Sequence, residues 1–284
     1  MVDVNYSLIG ANSDVIVFDN ENYVLNQDFS GFYIPPTQVR IEDSAADGGV
    51  FRHTKKGIRS LDIPVTVIGT DRGDVQSKLR RLSRLVQNNQ GPTTLRATYT
   101  NGEKLSLQVY YTGGAEGTWG SDAGLIWSRI VLSLQAPQPF WESETVEQFT
   151  VQTGGVGRGL LPELTKMKVS SSINLGSIEV ENSGDVVVYP NYVITGPIAN
   201  FVASSNDQSF GFTELLEEGE TLYIDSETAS VVYGTGENAY SILDAAPKFF
   251  KLPVGESTIS IDGTDTGPTT RIDVYYQLKY EVVH

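Results

Sequence analysis

Asp74-Val75-Gln76-Ser77-Lys78-Leu79-Arg80-Arg81-Leu82-Ser83-Arg84-Leu85-Val86-Gln87 is the stretch from which the fold is read. Its apolar residues Val75, Leu79, Leu82, Leu85 and Val86 recur at the spacing of one helical face. Lys78, Arg80, Arg81 and Arg84 fill the other positions, Asp74 stands where an N-cap belongs, and Gly91-Pro92 ends the helix. Burying five such side chains is worth roughly 7–15 kcal/mol before entropy is counted, so the helix needs a sheet to cover. The next residues supply one. Leu95, Ala97 and Tyr99 alternate with Arg96, Thr98 and Thr100, and Leu105, Leu107, Val109 and Tyr111 alternate on the return. Asn101-Gly102 between them predicts a tight type I′ turn. A lone helix against antiparallel strands is the expected core.

Length and composition narrow the rest. A chain of 284 residues accommodates two domains or one large β unit. With no cysteine there is no disulfide frame, thiolate metal site or thiol nucleophile. No apolar run reaches the ~20 residues of a membrane span, and Met1-Val2-Asp3-Val4 lacks the layout of a secretion signal. A soluble protein made in a cytoplasm is expected. The net charge of −15 is uneven: residues 1–142 hold 13 Lys and Arg against 15 Asp and Glu, a net of −2. The remainder holds 7 against 20, a net of −13. The halves either differ in solvation or face different neighbours, and the acidic half is unsuited to wrapping nucleic acid.

Upstream of the helix, short strands are expected at Val15 to Phe18, Tyr23 to Leu25, and around Val39 and Ile41. Residues 52–59 read as a polar, basic stretch. Leu61, Ile63, Val65 and Val67 then line one face of a strand whose other face carries Ser60, Asp62, Pro64 and Thr66. Pro64 cannot donate to a ladder, so this strand is expected at a sheet edge or bulged, and an exposed edge invites pairing with another chain. Arg59, Leu61, Pro64, Lys78, Arg81 and Arg84 are therefore the candidates for a subunit contact. Downstream, Thr112 to Gly124 reads as a Gly-rich loop, and Ile126, Ile130, Leu132 and Leu134 line one more strand. Pro139-Phe140-Trp141 reads as a rigid domain exit with its rings packed on the rim.

The expected organisation is residues 1–142 as one domain, 143–176 as a linker or arm, and 177–284 as a β-sandwich. Strands of the last are expected at 178–180, 186–189, 192–195, 210–212, 221–224, 230–233, 249–252 and 257–261. The longest alternation, Ile272, Val274, Tyr276, Leu278, Tyr280 and Val282, ends the chain. Leu215-Leu216-Glu217-Glu218 reads as a strand and turn between Gly211 and Gly219.

Chemistry has little to stand on. His53 and His284 cannot by themselves make a three-ligand metal site, and no nucleophile elbow, zincin helix or phosphate loop is present. Glu217, Glu218 and Glu220 read as a solvated turn, and Asp262-Gly263-Thr264-Asp265 as a hairpin connection. Tyr and Trp could build a sugar-stacking platform, although rings at strand positions are usually core. A glycosidase would need two facing carboxylates, which spacing cannot reveal. No enzyme and no cofactor are expected.

Four stretches carry a resemblance: Arg59 to Arg72 with the Leu79-Arg80-Arg81-Leu82 helix; Ala136-Pro137-Gln138-Pro139-Phe140-Trp141; Asn182-Ser183-Gly184-Asp185 through Pro190 to Ile194-Thr195-Gly196-Pro197; and Gly219 to Asp225 with Leu252-Pro253-Val254-Gly255. In this order and spacing the chain resembles the distal tail (Dit) proteins of phages with long non-contractile tails. The resemblance implies a mainly β structural virion protein: an N-terminal belt domain with a β-sandwich or barrel-like fold and one amphipathic helix, and a C-terminal galectin-like jelly-roll sandwich. It further implies a ring, usually a hexamer, at the virion tail tip, assembled in the host cytoplasm. The ring's partners would be the tail tube protein, the tail hub or tail-associated protein, and side fibres or receptor-binding proteins, with DNA only passing through the lumen. The basic residues from Arg52 to Arg84 would face that channel or a neighbouring subunit, the latter favoured because a non-basic lumen lets DNA slide. The alternative is a carbohydrate-binding module for host-surface glycans.

Overall fold

The computed structural model describes residues 4–19, 21–44, 47–117, 122–152 and 174–283. The chain divides into two compact units, Met1–Glu144 with Tyr280–His284, and Thr145–Lys279. Both are built from antiparallel strands, and one α-helix is present among the described residues.

The first unit runs β1 (Val4–Ile9), β2 (Val15–Val17), β3 (Tyr23–Leu25), β4 (Thr37–Asp43), β5 (Gly49–Lys56), β6 (Arg59–Ile68), α1 (Arg72–Leu85), β7 (Thr93–Tyr99), β8 (Lys104–Gly113), β9 (Trp127–Ala136) and the start of β10 (Trp141–Gln152). One ladder orders β10-β8-β7-β1-β2 and another β3-β6-β9-β8. The two share β8, which pairs with β10 through Leu105 and Ser106 and with β9 through Tyr110 to Gly113. A register shift between Tyr111 and Gly113 marks where it bends from one ladder to the other. The Asn88 amide closes on both backbone groups of Tyr111 beside that shift. Alternation on these strands puts Leu8, Ile63, Val65, Val67, Leu95, Ala97, Leu107, Val109, Leu132 and Leu134 in one core. The helix adds Leu82, Leu85 and Val86 to it.

Three local expectations for this unit are corrected. The N-cap is Asp71, in extended conformation and accepting from the Asp74 N–H at 2.9 Å; Asp74 sits in the first turn, paired with Lys78. The turn at Asn101-Gly102 is not type I′. Only Gly102 has positive φ (+90°), and its N–H donates to Tyr99 O, making a three-residue loop whose left-handed position belongs to glycine. Pro64 is not at an edge, because β6 pairs with β9 on one side and β3 on the other. The Pro64 carbonyl accepts from Asn26 on the β3 side, so its missing N–H faces the gap between Leu25 and the Ser30–Asp62 bridge. A proline fits there because no partner strand asks for its proton.

The second unit takes the rest of β10 and then β11 (Asn174–Asn182), β12 (Asn191–Thr195), β13 (Ala199–Ser205), β14 (Gln208–Phe212), β15 (Thr221–Asp225), β16 (Ser230–Tyr233), β17 (Gly255–Thr264) and β18 (Arg271–Tyr280). One sheet orders β16-β15-β12-β18-β10 and the other β11-β17-β13-β14. Tyr192, Phe201, Phe210, Phe212, Phe250 and Tyr276 are buried within this unit. Ser143–Gln152 and Asn174–Gly176, expected in a linker, are strand; the rest of that segment, 153–173, lies outside the described residues. Strands expected at 186–189 and 249–252 reduce to a single Val188–Leu252 bridge. Strand β13 is an addition: Ala199, Phe201, Ala203 and Ser205 alternate inward, but small and polar residues carry a weak strand signal. Leu216 bridges Ile198, and Glu217 to Glu220 is the turn expected there.

The final alternation breaks at Tyr280. Val283, not Val282, is the buried residue of the last four described, and it belongs to the core of the first unit. Arg59, 1% exposed at the start of β6, holds the chain there. Its guanidinium donates to the carbonyls of Pro139 (2.6 Å), Gly31 (2.6 Å), Tyr33 (2.5 Å) and Glu281 (2.7 Å). Burial pulls its pKa down to about 10, still far above neutrality. Removing the head group in Arg59→Met strands four carbonyls, and a loss of roughly 3–5 kcal/mol in urea unfolding is expected. A loss below about 1 kcal/mol would refute that role.

Candidate subunit interface

The sequence-derived candidates separate sharply. Arg59 and Leu61 are each 1% exposed, so neither side chain reaches a surface. Pro64 is half-buried inside a paired sheet. Lys78 donates to Ile68 O and Asp74 from a half-buried position. Arg81 grips both carboxylate oxygens of Asp14 and the carbonyl of Val15, an ion pair that holds the Asp14 carboxyl below its ordinary range. Arg84 remains exposed. At the exit, Pro139 is buried with its carbonyl on Arg59. Phe140 is half-buried. Trp141 is fully buried, 5.9 Å from the Phe32 ring, so it is core and not rim.

What does stand open is the β4–β5 ribbon, of which only the strand residues near Val39 and Ile41 are legible in the sequence. It is a two-stranded sheet of its own, and nearly every residue in it is exposed. Register decides its two faces. Val39 opposes Thr54 and Ile41 opposes Phe51, giving an apolar face with Val39 54%, Ile41 61% and Phe51 59% exposed. Gln38 opposes Lys55 and Arg40 opposes His53 on the other face, where Glu42 pairs with both Arg40 and Arg52. The register shift between Arg40 and Ile41 makes room for Arg52. A two-stranded ribbon with an uncovered apolar face is marginal alone and is the candidate contact surface of this unit. Its base is held firmly: Gly57 N–H donates to Pro36 O at 2.7 Å and Lys56 pairs with Glu281 at 2.8 Å.

The unit also has open sheet edges at β2 and β3. They are joined through Asp19, whose carboxylate accepts from the backbone N–H groups of Glu21, Asn22 and Tyr23. No cluster of three metal-ligating side chains occurs among the described residues, and no helix is long and apolar enough to cross a membrane. In the second unit Tyr223 is 44% exposed, with Val193 and Val232 as its cross-strand neighbours.

This architecture defines a β-rich protein of two sheet-built units. Residues 183–280 match the family model of the siphovirus-type tail component, C-terminal domain. The fold of the chain is similar to the crystal structure of phage SPP1 Dit (gp 19.1), a paradigm of hub adsorption apparatus in phages infecting Gram-positive hosts. The TM-score is 0.68 at 13% identity, over 96% of this chain and 98% of that one. It is also similar to chains of the phage P2 baseplate in its activated conformation, with Ca (TM-score 0.55, 11% identity) and with Sr (0.55, 13%), each over 99% of this chain and 100% of the other. No curated protein matches in sequence.

The β2–β3 turn gives a pH test. Burial alone would raise the Asp19 pKa, but hydrogen bonds from Asn22, Tyr23 and Glu21 outweigh it and bring it from 3.8 to about 2. A depressed carboxylate stabilises the fold fully above its ordinary value and loses that contribution as pH falls through the folded one. The unfolding free energies of wild type and Asp19→Asn should therefore differ at pH 7 and converge between pH 4 and pH 2. A difference independent of pH would show that the ionised carboxylate is not responsible.

Proposed function

We propose that this protein forms a closed ring, most simply a hexamer, that joins the tail tube to the hub at the tail tip and anchors peripheral host-recognition proteins. Residues 1–142 make the ring, DNA passes through its lumen without being held, and assembly takes place in the host cytoplasm. The role is structural and not enzymatic. The apolar face of the β4–β5 ribbon carries this reading: three aliphatic and aromatic side chains more than half exposed on a marginal two-stranded sheet. Covering them is worth roughly 2–5 kcal/mol per protomer, scaling ~1.5–3 kcal/mol per side chain by exposure. Repeated around a ring, such a term is enough to bias assembly.

Charge adds a second constraint. The net −13 after residue 142 recurs in every copy, and exposed charges repel over roughly 8–10 Å at physiological salt. Copies of the acidic unit are therefore kept apart from one another or set against a basic partner.

Native mass spectrometry and electron microscopy of the full chain should show one closed oligomer. Replacing residues 38–55 by a short Gly-Ser turn should leave a folded monomer with the same far-UV spectrum. A wild-type protein that stays monomeric at tens of micromolar and is absent from purified tails would overturn the ring.

A further inference from the structure

Several asparagine side chains fold back onto their own backbone. The Oδ1 atoms of Asn12, Asn101, Asn182 and Asn238 accept from the N–H two residues on, in Asp14 (3.0 Å), Glu103 (3.0 Å), Gly184 (3.1 Å) and Tyr240 (2.9 Å). Such a turn folds the carboxamide back over the peptide that follows it, and the hydrogen bond to Oδ1 draws electron density from Cγ. What differs is the residue that carries the next backbone nitrogen. Ser13, Ser183 and Ala239 each place a Cβ beside it; the fourth is Gly102, and Asn101-Gly102 is the only Asn-Gly pair in the chain. Asn182 and Ala239 are also buried, each 1% exposed, and the Asn182 amide donates to Val186 O and Leu252 O. Asn101 and Gly102 are both exposed at the β7–β8 loop, and no atom lies within 4 Å of where a Gly102 Cβ would stand.

We propose that Asn101 is a site of spontaneous deamidation in the folded protein, turning one neutral side chain per copy into a carboxylate. The Gly102 nitrogen, its proton taken by solvent base, bonds to Asn101 Cγ. The Cγ–Nδ2 bond breaks, the amide leaves as ammonia, and a five-membered succinimide remains. Water then opens the ring. Opening at Cγ gives an ordinary aspartyl residue at position 101, whose carboxylate still accepts from Glu103 N–H. Opening at the backbone carbonyl gives an isoaspartyl link, with one more methylene in the main chain. One water enters, one ammonia leaves and nothing is oxidised. Ring closure gives up the Gly102 N–H bond to Tyr99 O (3.0 Å), but in an exposed loop water takes the freed carbonyl, so little opposes the step. The extra methylene falls inside the loop that the Tyr99 N–H to Glu103 O bond (2.9 Å) closes, so the isoaspartyl form loses that register. None of this depends on the ring.

The full chain is held in warm, mildly alkaline buffer and sampled by peptide mapping, with isoaspartyl content read by protein isoaspartyl methyltransferase. A synthetic peptide of residues 97–106 is the reference. Residue 101 should become acidic at least tenfold faster than Asn12, the exposed turn of the same kind with serine in place of glycine. The rate should rise with alkalinity, each event should take up one oxygen from isotopically labelled water, and Asn101→Gln should abolish the isoaspartyl signal. No acid at residue 101 by the time half the peptide has reacted overturns the proposal, because the bonds to Tyr99 and Glu103 then protect the site. Equal rates at Asn101 and Asn12, or acid formed only once urea has unfolded the chain, overturn it as well.

Discussion

One buried guanidinium organises the first unit. Arg59 begins the central strand β6 and spends its donors on four backbone carbonyls, from the 31–33 loop, the 139–141 exit and the last residues of the chain. Burying a charge is tolerable only when its hydrogen bonds are filled, and a planar, forked donor set can fill four at once where an ammonium could not. The consequence is topological. The point where the chain leaves the unit and the point where it returns are tied to the same side chain, next to the base of the exposed ribbon. A two-stranded ribbon anchored there keeps a defined root while its length remains free to meet another molecule.

The helix serves two surfaces. Val75, Leu82, Leu85 and Val86 are buried beneath it. Its remaining residues form a cationic rim, from which Arg81 is withdrawn by Asp14 and Lys78 by Asp74. What is left is Arg80 and Arg84 beside a partly open Leu79. The basic run Arg52 to Arg84 is thus not one surface: Arg59 is internal, Lys78 and Arg81 are paired within the protomer, and Arg52 sits on the ribbon's charged face. A continuous cationic band, as channel-lining residues binding DNA would make, does not arise from these side chains.

In the second unit two antiparallel sheets close on aromatic rings, and most of the described acidic residues lie exposed on strands and turns, with Asp225, Asp262 and Asp273 half-buried. The chain's fold is similar, at 11–13% identity, to those of phage SPP1 Dit and phage P2 baseplate chains. A sandwich of this kind demands only inward alternation from the sequence, so its outer faces are free to take whatever charge their neighbours require.

Elements whose burial is periodic could be read from the residues alone. The helix face, the Leu61–Val67 and Leu95–Tyr111 alternations and strand β18 could be read because each repeats an apolar residue at the spacing of its own backbone. Only the tertiary structure decided that Pro64 lies inside a sheet, that Arg59 is buried, that Val283 returns to the first unit and that Val39, Ile41 and Phe51 are left uncovered. Each of these depends on which distant backbone groups and side chains come alongside. Alternation tells which residues share a face, but whether that face is covered is settled by neighbours far away in the chain.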